Sequence, residues 1–368
     1  ASLTSSVQDS ATVTYKTANG TDKDGNATVS LSYSVDYSGA ASGVTLSDTA
    51  LVYASFFNDV MVAGAAGTTD ARTSDAFGTL ATGLLNVASG AELEDLYLEH
   101  VPEENLLGPK QALLASQALH GVLQSCPVLD PGAGMDFLHQ QDCTWGQVIG
   151  TNRHMDAHDG SPGYDSRSWG LALAAQRMVA EDTFLEIGGQ IEDVSISGDN
   201  FAQSGPRASF GAALKREFGA LTVSGALGYG VYDLDYDRSY WGGDDRHLAS
   251  SDLTGRFLSA ELRASGVLAG AGRFYAKPAA ALQVTRIWQD GFVEDGSGDH
   301  NWSVDGVTQD AVTLTPMVEI GRVFAMGGGW GQAYLRAGVT GYLTDPGTET
   351  SAVLADADAG VGTLNAAL

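Results

Sequence analysis

No run of about 18 apolar residues occurs anywhere in this chain of 368 residues, so it holds no transmembrane helix. It opens with "ASLTSSVQDS", without the basic start and apolar stretch of a secretion signal; if the protein is exported, its signal was removed upstream. Basic residues are scarce: 19 Lys and Arg stand against 45 Asp and Glu, a formal net charge of -26. That balance excludes a nucleic-acid partner, whose phosphates need clustered cations, and fits a solvated extracellular surface or a salt-adapted organism. Only two cysteines are present, Cys126 and Cys143, around the stretch "PVLDPGAGMDFLHQQD". Two readings stand for them: a disulfide closing a loop in an oxidising compartment, or two unrelated buried thiols. There is no G-x-S-x-G elbow, zinc-type spacing or full EF-hand loop, so the sequence offers no catalytic, cofactor-binding or metal-binding residues.

What is present is alternation. In "RFYAKPAAALQVTRIW", residues 273–288, Phe274, Ala276, Pro278, Ala280, Leu282 and Val284 alternate with a set that includes Arg273, Tyr275, Lys277, Gln283 and Thr285. Period two marks a strand with one apolar and one polar face. Residues 183–192 repeat it, with Leu185, Ile187 and Ile191 against Glu186, Gln190 and Glu192. Residues 257–264 set Leu258 and Leu262 against Glu261 and Arg263, and residues 312–320 set Leu314 and Val318 against Thr313 and Glu319. Residues 332–343 set Leu335 and Val339 against Arg336 and Tyr342. Pro278 withdraws a ladder donor in mid-strand, which a bulge or strand end there would accommodate.

The texture changes along the chain. Residues 1–73 carry runs such as "ATVTYKT" and "ATVSLSYSVDYS", and read as a small β-rich segment. Residues 74–143 read helically. Ser74 is the expected N-cap of a first helix that Gly90 ends, Pro102 bounds a second, and "PKQALLASQALHGVLQSC" forms a third from Pro109. From Thr144 onward the chain is β throughout, with about ten strands, the last beginning near Asp358.

The connections between those strands take turns. "HMDAHDGSPGYDS", "SISGDNFAQSG", "DLDYDRSYWGGDDRHLASSD" and "QDGFVEDGSGDHNWSVDGVTQD" are long and acidic; "MVAED", "FGA", "LAGAG" and "MGGGW" are tight. In an up-and-down meander, alternate connections lie at opposite ends, so one end gathers all the long loops. That is the pattern of an outer-membrane barrel, whose strands of about ten residues also fit a tilted bilayer span. The polar faces are charged too often for a dry core. The sequence therefore predicts Leu185, Ile187, Leu258, Leu262, Leu282, Val284, Leu314, Val318, Leu335 and Val339 on the lipid side. It places Glu186, Gln190, Glu261, Arg263, Arg273, Lys277, Glu319 and Arg336 in a wet lumen. Closing the sheet would satisfy every edge amide, as hydrocarbon requires.

Helical residues followed by "CTWGQVIG", then "FGAALKREFGALTVSGALGYG" and "LTPMVEIG", resemble the translocator domain of autotransporters, the type V secretion proteins of Gram-negative bacteria. The resemblance runs from about Ser74 to the end and rests on element order and local texture. It implies an outer-membrane barrel of about twelve strands. A helix would run through the pore, best placed at 110–124, and an N-terminal passenger would be delivered to the cell surface. Residues 1–73 would then be an autochaperone-like passenger end, residues 74–143 a link holding the pore helix and the cysteine loop, and residues 144–368 the barrel. It further implies that outer-membrane lipid and lipopolysaccharide, the barrel-assembly machinery, periplasmic chaperones and the chain's own passenger are its partners. The family's terminal aromatic residue does not close this sequence at Leu368: either the chain continues beyond it or the barrel closes with fewer strands, and continuation is the expectation we adopt.

Rival readings are a porin with a plugging or periplasmic N-terminal domain, and a surface adhesin that the barrel merely anchors. His154, Asp156, His158 and Asp159 would make a metal site or a solvated loop, and loop is the reading we adopt. The carboxylates of "DLDYDRSYWGGDD" and "EDGSGDH" are read the same way, against calcium. Glycines in "GALGYG" provide curvature or lumen space rather than a phosphate cradle. Trp145, Trp169, Trp241, Trp288 and Trp302 lie near strand ends or in loops, where an interfacial girdle and ordinary packing both remain open.

Overall fold

The structure, a computed structural model, describes residues 7–65, 71–102, 106–129, 138–157, 163–243, 245–269, 273–326, 329–344, 347, 349–355 and 364–367. An exposed hairpin comes first, β1 (Val13–Thr21) with β2 (Ala27–Val35). Helices α1 (Asp48–Ala65), α2 (Ala71–Leu84), α3 (Gly90–Leu98) and α4 (Leu107–Leu123) follow. Helix α1 corrects the expectation that residues 1–73 are β-rich: Ala50, Tyr53, Ala54, Phe57 and Val60 fall on one buried helical stripe. Ser74 lies inside α2 rather than capping it. Gly90 starts α3 instead of ending a helix, because the Ser89 side chain accepts the Glu92 N–H at 3.3 Å and caps it there.

Two short strands, β3 (Pro127–Leu129) and β4 (Leu138–Gln140), pair before the main sheet. That sheet is an antiparallel, curled meander. Its strands are β5 (Cys143–Met155), β6 (Tyr164–Ala180), β7 (Thr183–Ser197), β8 (Phe201–Phe218), β9 (Leu221–Trp241) and β10 (Arg246–Gly266). A two-residue β11 (Leu268–Ala269) precedes β12 (Phe274–Gln289). Strands β13 (Phe292–Val293) and β14 (Trp302–Val304) interrupt the connection to β15 (Val307–Met326). Then come β16 (Gly329–Gly338), β17 (Gly341–Tyr342), β18 (Glu349–Leu354) and β19 (Leu364–Ala367).

Chain neighbours are sheet neighbours from β5 to β10, then through β12 and β15 to β16. This is the mainly β, up-and-down architecture the sequence predicts. Among the described residues no ladder joins β5 to β16, because the chain after β17 turns to other partners. Strands β13, β14, β18 and β19 form a separate sheet beside the long loops. The last strand expected from Asp358 is thus corrected: residues 356–363 lie outside the described residues, and β19 pairs with β18.

Pro278 sits where its missing donor is tolerated. The β10–β12 ladder stops at Ser265↔Ala279, and β11 resumes it at Leu268↔Ala276, leaving Gly266 and Val267 opposite the proline and Lys277.

One predicted loop is strand. "DLDYDRSYWGGDDRHLASSD" carries β9 on to Trp241 and starts β10 at Arg246. Along it the alternation inverts: Leu234, Tyr236 and Tyr240 are buried inside, while Asp233, Asp235 and Asp237 face out. Water, not hydrocarbon, suits that outer surface.

Candidate functional site: a lumen filled by one helix

Helix α4 passes down the inside of the curled sheet. Near its start, Gly108 lies against Tyr232 and Gln289, towards the long-loop end. Past its last turn, the Gln124 Oε1 accepts the Ser224 hydroxyl of β9 at 3.1 Å, near the short-turn end. It occupies Leu107–Leu123, slightly N-terminal of the predicted 110–124.

The helix is buried on nearly every side, and its polar residues meet polar wall. Gln111 Oε1 accepts the Ser166 hydroxyl at 3.3 Å, and the Gln111 carbonyl accepts Arg207 Nη1 at 3.3 Å. Gln283 Nε2 donates to Ser116 Oγ at 2.7 Å, and His120 Nε2 pairs with Ser259 Oγ at 2.9 Å. Buried polar groups satisfied this way hold one helix register. Glycines make the room: a Cβ on Gly228 would sit 2.7 Å from Leu119 Cδ2, and one on Gly211 would sit 2.8 Å from Leu123 Cδ1. "GALGYG" therefore supplies lumen space.

The predicted lumen residues fall as follows. Glu186 is fully buried, bonded to Lys215 and within 3.4 Å of Trp145 Nε1. Gln190 donates to Glu192 Oε2 at 3.2 Å, and Arg207 grips that carboxylate through Nη2 at 2.8 Å and Nε at 3.1 Å. Glu261 pairs with Arg263 at 3.0 Å. Glu319 takes Arg336 Nη2 at 2.6 Å and the Tyr275 hydroxyl at 2.7 Å. Lys277, Arg263 and Arg336 line a cavity of about 30 Å³ at the short-turn end, below Gln124. Cations there complement the carbonyl end of α4. Arg273 is corrected: it lies in the turn before β12 with a φ of 64°, exposed rather than in the lumen. Lys215 and Arg207 escaped the sequence reading, although extending the β8 alternation from Leu214 points both inward.

All ten residues predicted on the lipid side are exposed on the outer face. Trp169 joins them, while Trp288 is half-buried there. Trp145 faces Glu186, and Trp302 is buried, so neither belongs to an outer girdle. Trp241 packs against α2 at Gly83. His154 bonds to Asp156 and Asp165 on an exposed strand end; His158 and Asp159 lie outside the described residues.

At the two ends the helix is tied down differently. Cys126, just past α4, is disulfide-bonded to Cys143 at the start of β5. At the long-loop end, α1 to α3 bury Tyr53, Phe57, Phe77 and Tyr97 in one core with Trp302, Val304 and Leu354. Arg238 of β9 clamps this unit. It donates to Glu294 at 3.0 and 2.7 Å and to the Glu99 carbonyl at 3.1 Å.

A family model described as the autotransporter β-domain matches residues 144–366. Among solved structures, the translocator domain of the autotransporter NalP from Neisseria meningitidis is similar, with a TM-score of 0.54 at 13% identity. The likeness covers 68% of this chain and 85% of that one, and is one of fold. The β-domain of the Bordetella autotransporter BrkA gives a TM-score of 0.43 at 20% identity, over 62% of this chain and 96% of that one, too distant a superposition to argue from. No curated protein matches the chain.

Proposed function

Because this chain belongs to the autotransporter β-domain family, we propose that everything before Leu107 stands on the cell surface and that α4 is the link left in the pore. The chain is an outer-membrane β-domain that translocates its own passenger. The observation that carries the finer reading is the direction of α4: its N-terminal end opens among the long loops and its C-terminal end among the short turns. In this division residues 1–73 end the passenger, the rest of the helical unit up to residue 106 stays outside with them, residues 107–143 cross the pore, and residues 144–368 hold the barrel strands.

An open porin needs a lumen free of protein, whereas α4 fills this one. The buried lumen carboxylates are paired with neighbouring side chains, which supports a structural rather than catalytic role for the chain. Insertion would use the barrel-assembly machinery and periplasmic chaperones, and the outer face would meet lipid and lipopolysaccharide.

The test is export. A foreign soluble domain fused before Ala1 should become sensitive to protease added to intact cells. If the fusion stays protected while the barrel inserts, the chain anchors but does not translocate.

A further inference from the structure

The seat of the helical unit on the barrel mouth contains a buried histidine that translocation does not use. His100, just after α3, is 3% exposed. Its ring lies flat on Tyr53 of α1, with centroids 4.9 Å apart and planes at 11°, and meets Tyr240 of β9 at 4.9 Å. Its Nε2–H donates to the Trp241 carbonyl at 2.9 Å, and its own carbonyl accepts Trp302 Nε1–H at 3.1 Å. One residue thus bridges the helical unit, β9 and β14.

The groups around it disfavour a second ring proton. Arg238 of β9 stacks over Tyr240 at 5.0 Å, His247 of β10 faces that same ring at 5.5 Å, and His300 lies 6.4 Å from His100. Tyr97 of α3 lies 5.5 Å from Tyr53. The nearby carboxylates are committed: Glu294 to Arg238 and the Trp302 N–H, Glu99 to the Trp241 N–H and Arg246. Burial holds the His100 ring well below the usual imidazole range, and His300 and Arg238 push it the same way. A protonated ring there is a desolvated charge beside other cations.

We propose that His100 makes this seat an acid-released latch, closed while the ring is neutral and undocked once it is protonated. The sign follows from linkage. The freed ring takes a proton near about pH 6.5 and the docked ring resists it. Docking is therefore complete above that pH and weakens about tenfold per unit below it, until the docked ring itself protonates. The latch rests on the surface placement proposed above only for the pH it meets; docking itself is measured on purified protein.

The experiment is hydrogen exchange of α3 amides in the full chain in detergent micelles, from about pH 7.5 to 5, corrected for intrinsic rates. In the wild type, α3 protection should fall about tenfold per unit below pH 6.5 while α4 stays protected. His100→Phe, which keeps the stack and cannot titrate, should flatten that dependence; His300→Gln should keep it. Wild-type α3 that stays protected at pH 5, or an identical loss in His100→Phe, overturns the latch. If His100→Phe is already open at neutral pH, the imidazole NMR titration of the wild type decides. A His100 titration that coincides with α3 release supports the latch, and one that leaves α3 protected overturns it.

Discussion

Arg207 and Glu192 stand directly opposite each other on β8 and β7, both buried, and the same guanidinium reaches the Gln111 carbonyl of α4. Wall and helix are thereby joined through one cation. Arg207→Met would strand a buried carboxylate, and should cost about 3–5 kcal/mol in guanidinium unfolding. Adding Glu192→Gln should recover most of that loss. A single-variant loss below about 1 kcal/mol would mean that water already solvates the pair.

Two glycines should respond oppositely to alanine. At Gly211 the new Cβ would strike the Leu227 carbonyl as well as Leu123, so Gly211→Ala should loosen α4 and destabilise the barrel. At Gly121, on α4, nothing lies within 4 Å of the added methyl. Gly121→Ala should raise stability by up to about 1 kcal/mol through helix propensity. Equal effects in thermal unfolding would contradict the packing described for α4.

The Cys126–Cys143 bond closes a separation of 17 residues. Replacing both with serine should lower stability by about 3 kcal/mol and leave the fold intact. The untreated protein should take up no thiol reagent before reduction; rapid labelling would show that the bond does not form.

Leu262→Arg places a cation on the outer face in mid-strand. Folding into liposomes should be weakened by about 2–4 kcal/mol. No change would mean that this face does not meet hydrocarbon.

Much of this was legible in the alternation. The side chains of Leu185, Leu262, Leu314 and Leu335 could be assigned because period two admits only two faces, and charged neighbours mark the inner one. Arg273 failed because alternation says nothing about where a strand turns. The long strands beyond the apolar band look like loops in the sequence because there the pattern inverts, with Asp233, Asp235 and Asp237 outside. Helix α1 was hidden by Val52, Tyr53, Phe56, Phe57, Val60 and Val62, residue types that favour strands. The Arg238–Glu294 clamp, 56 residues apart, exists only once β9 and the loop after β12 are brought together.

The threading of the chain through its own barrel is tested most directly by two single cysteines, Asp95→Cys on α3 and Ala220→Cys in the turn between β8 and β9, each with the native disulfide intact. On intact cells, a membrane-impermeant maleimide should label Asp95→Cys at once and Ala220→Cys only after the outer membrane is permeabilised. Labelling of both positions, or of Ala220→Cys alone, before permeabilisation would contradict the placement of α4.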